Sequence, residues 1–415
     1  MHLFLENHCK SLVSFWTGKY KGLDEGKECY VIAPAVWDAI GCETAEASNT
    51  IPSTFGRRTP NIATEQHIFT AEDWSFWTLF IAPYVLDRRF FRPKYYKHFM
   101  KFHSIMKTTL QFSFTDAELG SLHERVIDYI QEYESIYYQF KPDRLSVCTL
   151  AVHALLHIAD DIKTNGPPCY NWTFVMERWC QHLLPAVKSH KRPFVSLAMR
   201  QYHLALFNEI QTRYELFEAL QLTPSKKELS HYEVVYKEYP HSILQPPRRG
   251  GKPFTDWLRN LVAAYLTTVF NIRISTAKRV IPETFTAWGK VRIANGGDCI
   301  RVKSAQDLYA DRSQDASFVC YEVLADRNAF SKFSATDFVR IIHYGTLEMI
   351  LEIIIPPNPS LRTMEPRRFI LALVSDCKTD GKDAAKDIVT FTKIGPCAIV
   401  DLAAICAVVG CFKYG

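Results

Sequence analysis

Apolar positions in the first half of the chain recur every three or four residues. In the second half they alternate or run in short blocks. Leu119, Val126, Ile127 and Ile130 predict a helix over 116–133. Leu3, Leu5, Leu12, Val13 and Trp16 give residues 1–17 an apolar side, and further helices are expected over 145–160, 174–184, 200–220 and 254–270. Thr70-Ala-Glu-Asp73 reads as a capping box: Thr70 can accept from the free amides, and Asp73 can return the bond. From about residue 288 the period shortens, predicting strands over 288–293, 299–302, 318–324, 338–342 and 349–355. Gly296-Gly297-Asp298 supplies a tight turn between the first two. Residues 365–374 and 387–411 are strongly apolar and β-branched.

The pattern describes an α+β chain. A mainly helical region covers 1–220, and a β-rich C-terminal domain, a small barrel or sandwich, covers 253–415. Between them, 221–252 is rich in proline, lysine and polar residues and ends in Pro246-Pro-Arg-Arg-Gly-Gly-Lys252, so it reads as a linker or exposed arm.

At 415 residues the chain can hold two or three domains. With 13% aromatic and 22% charged residues it is too apolar for disorder. A net charge of +5 permits nucleic-acid binding without requiring it. The 12 cysteines form no CxxC pair and read as reduced thiols of a cell interior. No apolar run reaches membrane-spanning length: 349–356 is interrupted by Glu352, and 397–411 by Asp401 and Gly410. No membrane partner and no secretory leader are therefore expected, and nuclear or cytoplasmic residence follows.

Three groups of residues could carry chemistry. His153 and His157, four apart, would share a helix face, with Asp161 a further four residues on. They suit structural hydrogen bonds, or contact with a metal ion or phosphate. Glu177 lies among Trp172, Phe174, Val175, Met176, Trp179 and Cys180, so its carboxylate must be salt-bridged or functional. The functional alternative is a divalent-metal ligand for DNA strand cleavage, which would need partner carboxylates that cannot be placed downstream. Arg88, Arg89, Arg92, Lys94, Lys97 and Lys101 alternate with Phe90, Phe91, Tyr95, Tyr96, Phe99 and Phe102. That interleaving suits phosphate contact and base stacking, and equally a helix with an apolar inner and a basic outer face. Lys188, His190, Lys191 and Arg192 form a basic turn suited to phosphate. Asn295-Gly-Gly-Asp298 and Thr379-Asp-Gly-Lys-Asp383 lack nucleotide-binding spacing, and there is no nucleophile elbow or kinase signature.

Met1-His-Leu-Phe-Leu-Glu-Asn7, Ile51-Pro-Ser-Thr-Phe-Gly56, Thr70-Ala-Glu-Asp-Trp74, and the stretches 153–161, 166–180, 288–298, 317–321 and 379–386 resemble large transposon-encoded proteins of mushroom-forming fungi. These are the Plavaka elements, grouped with CACTA-type transposases. The resemblance spans most of the chain. It implies a ribonuclease-H-like core whose acidic residues hold divalent metal, with Glu177 at the family's Glu-Arg position as the final carboxylate. The family's leading aspartates and zinc-finger-like segment belong upstream of the Met-His motif with which this chain begins. The expectation is therefore a transposase-derived, DNA-associated protein with an incomplete core. Arg88, Arg89, Arg92, Lys97, Lys191 and Arg192 would lie on phosphates, a homo-oligomer is admitted, and no cofactor is needed for binding. Mg2+ or Mn2+ would be required for any surviving nuclease activity. A noncatalytic protein-interaction module and an intact metal-dependent strand-transfer enzyme are the alternatives.

Overall fold

The computed structural model describes residues 3–20, 22–23, 27–56, 58–171, 174–187, 191–217, 219–220, 229–306, 314–326 and 337–415. The fold is α+β, helical toward the N-terminus and β-rich toward the C-terminus. Its compact units are discontinuous in sequence: one comprises Met1–Trp37 and Phe69–Glu228, the other Asp38–Ile68 and Leu229–Gly415.

In the first unit a π-helical stretch, Leu3–Cys9, runs into α1 (Lys10–Trp16). Helix α2 (Pro34–Ala47) follows, mostly within the sequence of the second unit. Then come α3 (Ala71–Phe76), α4 (Ala82–Val85), α5 (Pro93–Thr109) and α6 (Asp116–Tyr133). The remaining helices of the unit are α7 (Leu150–Leu155), α8 (Ile158–Asn165), α9 (Phe174–Leu183) and α10 (Pro193–Arg213). The starts of α3 and α6 are reciprocal capping boxes. Asp73 accepts from the Thr70 amide at 2.8 Å, and Glu118 accepts from the Thr115 amide at 2.8 Å.

The core of this unit is aromatic. Phe99 and Phe102 of α5, and Tyr129 and Tyr133 of α6, close over Phe15 and Trp16 of α1 with almost no exposed surface. The Trp16 indole donates to the Tyr137 hydroxyl at 3.1 Å. Arg144 is buried and satisfied, donating to the Tyr137 carbonyl (2.7 Å), Glu28 (3.1 Å) and the Tyr30 hydroxyl (2.6 Å). Helix α10 is the opposite case. It has no buried residue, although Phe194, Val195, Met199 and Tyr202 are among its side chains.

The helix expected over 145–160 is broken. Thr149 caps α7, α7 ends at Leu155, and α8 restarts after His157. The helix expected over 200–220 instead begins at Pro193, whose fixed φ suits a first turn, and stops at Arg213.

The second unit is a curled antiparallel sheet with two helices on one face. Its strands are β1 (Val234–Tyr236), β2 (Tyr239–Pro253), β3 (Thr284–Ile293), β4 (Cys299–Arg301) and β5 (Phe318–Asp326). They continue with β6 (Phe338–Ile355), β7 (Arg367–Cys377), β8 (Ile394–Asp401) and β9 (Ile405–Val408). The helices are α11 (Asp256–Phe270), α12 (Ile274–Val280) and the short α13 (Lys303–Gln306). The two strands expected over 338–342 and 349–355 are halves of β6. Its first half pairs with β5, its second with β3, and β7 follows its other edge from Tyr344 to Ile355.

Alternation divides the sheet's side chains. Trp288, Ile350, Ile370, Ala372 and Val374 build an inner core, whereas Ala287, Leu351, Ile353, Phe369, Leu371 and Leu373 pack with Leu258, Val262 and Leu266 of α11. Residues 38–68 join this unit through main-chain bonds: the Asp315 amide donates to the Asn49 carbonyl (2.9 Å) and the Cys411 amide to that of Thr50 (3.4 Å).

The linker expected over 221–252 is corrected by β1 and β2. Val234 and Leu244 pack into the inner core, Ile243 is buried as well, and Ser242 to Gln245 are in register with Ile293 to Lys290. Proline and glycine in Pro246–Lys252 resemble a linker because an edge strand tolerates residues that a central strand rejects. Residues 221–228 lie outside the described set.

Candidate nucleic-acid interface

The corner between α4 and α5 is fixed by one aromatic and presents another. Phe90 is buried with its ring 5.4 Å from Trp16, edge to face. The adjacent Phe91 is 80% exposed. Arg88 takes a left-handed backbone (φ 56°), and its side chain is 92% exposed, 3.6 Å from Asp87. Arg92 precedes Pro93 at the first position of α5. The Tyr96 hydroxyl ties the corner to the Pro83 carbonyl at 2.6 Å.

Along α5 the inner face is Tyr95, His98, Phe99, Phe102, Ile105 and Met106, all buried. Base stacking by Tyr95, Phe99 or Phe102 is thereby excluded, since these rings are core. Lys94 and Lys97 are exposed on the outer face. Lys101 is engaged by Asp128 (2.6 Å) and Glu132 of α6, so it is not among the open cations. The first turn of α5 has no acidic residue and its Arg92 cap makes no side-chain bond, unlike α3 and α6, which begin with carboxylates. Cations collected at the positive end of a helix repel its dipole, and an anion brought there relieves both.

Lys191 and Arg192 are exposed at the start of α10, while Lys188 and His190 lie outside the described residues. Glu177 is on α9, but its side chain lies outside the described set. His153 and His157 meet across the α7–α8 break with their Nε2 atoms 3.3 Å apart, both exposed. Asp161 does not pair with His157 through its side chain. Only its amide donates to the His157 carbonyl (2.8 Å), because His157 caps α8 instead of lying within one continuous helix. Among the described residues no three or more His, Cys, Asp or Glu side chains converge as metal donors.

Two polar clusters of the sheet were missed at the sequence level. Glu352 is 6% exposed on the inner face. It accepts from the Trp288 indole at 2.9 Å and lies 3.3 Å from the Arg368 Nε. The Arg368 guanidinium is stacked 3.8 Å from the Tyr236 ring centroid. The second cluster gathers on Asp376, which accepts from Tyr321 (2.9 Å) and lies 3.4 Å from His343 Nδ1 and 3.2 Å from Lys378. Glu352 left a trace as the charged interruption of an apolar run. The Asp376 cluster left none, because only strand register joins residues from β5, β6 and β7.

Among the described residues no helix is long and apolar enough to cross a membrane. Comparison with models of protein families, with curated proteins and with solved structures finds no match.

Proposed function

We propose that the chain is a transposase-derived, DNA-associated protein of the nucleus that contacts DNA without a complete strand-cutting centre. The observation that supports this most is the α4–α5 corner: an exposed Phe91 standing among Arg88, Arg89 and Arg92, with Lys94 and Lys97 next along the helix. Arginines take the phosphates and the ring takes an unpaired base. Lys191 and Arg192 add phosphate contacts from the start of α10. Contact of this kind needs no cofactor. Mg2+ or Mn2+ belongs to the strand-transfer alternative, for which loss of manganese-dependent cleavage on Glu177→Ala is the required result.

The test is binding of labelled single-stranded and duplex DNA by the full chain across a salt series. Five phosphate contacts give log K a slope of about −3.5 on single strands and about −4.5 on duplex against log salt. Phe91→Ala should weaken single-strand binding by about 1–3 kcal/mol and duplex binding much less. Binding unchanged by both salt and Phe91→Ala sinks the reading.

A protein-interaction role is the second reading, favoured by α10. Phe194, Val195, Met199, Tyr202 and Leu206 stand exposed along it, exposed apolar surface of the kind that marks an interaction site, and a second copy of this chain would cover it. A monomer at all concentrations in light scattering would remove that option.

A further inference from the structure

The stretch Tyr239–Thr255 carries Arg248, Arg249 and Lys252 and no aspartate or glutamate. It belongs to a strand with one open side. β1 covers β2 only from Tyr239 to Leu244, and β3 takes the other edge down to Pro253. Proline, glycine and charge along such an edge discourage strand addition, but they do not explain how Arg248 is held.

Its guanidinium lies over the Trp288 ring at 4.9 Å from the centroid, and Nη2 is 3.9 Å from Glu352. The side chain is nevertheless 54% exposed, and among the described residues its guanidinium donates no hydrogen bond. Glu352 is already engaged by the Trp288 indole and Arg368. The Trp288 ring thus holds the Arg248 guanidinium in place and leaves its fork of N–H donors without a hydrogen bond. That fork matches a phosphate bidentately, with less rotamer entropy to lose than a free arginine. Arg249 follows it, exposed and in register with Ala287 on the other face of the strand, and Gly251 at φ +68° has open space where a side chain would stand. From Arg248 to Lys252 the strand, bulged after Arg249, runs alongside Trp288 to Phe285 and covers roughly 10 Å, the axial length of about three phosphates of one DNA strand.

We propose that the open edge of β2 is a second phosphodiester-binding element, in which Arg248, held against Trp288, makes a bidentate phosphate contact and Arg249 and Lys252 add positive charge along the same edge from the other face. This rests on the DNA reading above and adds a site on the sheet.

The test uses the full chain with Arg248→Ala, Arg248→Lys and, for the α4–α5 corner, Arg92→Ala, each checked by thermal unfolding. Binding to labelled DNA is measured between about 50 and 200 mM salt. Arg248→Ala should weaken binding about tenfold and lower the salt slope by about 1. Arg248→Lys, which keeps the charge and guards against loss of fold, should restore the slope but not the full affinity, since an ammonium lacks the fork. Wild-type affinity in Arg248→Ala, alongside weakened Arg92→Ala, overturns the β2 site and leaves the DNA reading standing. Absence of DNA binding by the wild-type chain overturns both. Binding of polyglutamate as tight as DNA, lost equally in Arg248→Ala, assigns the edge to acidic polypeptides and overturns the phosphodiester proposal.

Discussion

The α5–α6 core and the inner face of the sheet bury ionisable groups in opposite ways. Between the helices, His8 and His98 are at most 1% exposed, and each ring has an Nδ1 without a partner. His8 meets the Tyr129 hydroxyl at 2.5 Å, and His98 stacks on the Tyr129 ring with centroids 4.3 Å apart. Burial drives both histidines down to about 3, so they stay neutral. In the sheet, Glu352 sits among groups of opposite or donating character: the Trp288 indole, Arg368, whose buried Nε lies at ion-pair distance without a hydrogen bond, and, at longer range, Arg248. Packed aromatic rings supply volume and few donors. Strand register supplies fixed cross-strand neighbours, which is what a buried charge requires.

The largest test of this contrast is Glu352→Ala. It strands Arg368 and the Trp288 N–H on the inner face and should cost about 3–5 kcal/mol. Hydrogen exchange should record faster exchange in peptides of β3, β6 and β7, with α5 and α6 unchanged. Acid should act on the other region. An unfolded histidine binds its proton near 6.5 and these folded ones near 3, so the unfolded chain takes up protons first. Stability from these sites is complete above about pH 6.5 and is lost as pH falls toward 3, by roughly a kcal/mol per pH unit from each. At pH 5 the pair should cost on the order of 3–4 kcal/mol, read as a lower urea midpoint for α5 and α6 than at pH 7. His98→Phe should flatten that dependence, and a pH-independent midpoint in the native chain would contradict the contrast. The smallest effect is expected from Thr115→Ala. It removes the α6 cap and should cost about 1 kcal/mol by urea unfolding, because packing of Tyr129 and Tyr133, not the cap, holds α6 in place.

How much could be read beforehand follows the same physics. The bounds of α6 and the Thr70 cap were legible, since period and capping chemistry are local. So were β3, β4 and the Gly296–Asp298 turn that joins them. The break at His157 was hidden, because neither Leu156 nor His157 is a helix breaker. β1 and β2 were hidden by Pro246, Pro247, Gly250 and Gly251, whose meaning changes on an open edge. Of the site, the basic stretch at 88–97 was visible in sequence, but which ring faced water was not. Phe90 and Phe91 are identical in type and adjacent, and only packing against Trp16 separates them.

The hydrogen bonds from Asp315 to Asn49 and from Cys411 to Thr50 carry a consequence for synthesis. Thr50 emerges from the ribosome early, and its partner lies roughly 360 positions later, a wait on the order of twenty seconds to a minute at ordinary translation speeds. Throughout that interval the segment 38–68 has no completed sheet on which to settle. Such a chain matures only once β9 and Cys411 have been made, and a nascent polypeptide stalled before β9 would leave that segment for chaperones to hold.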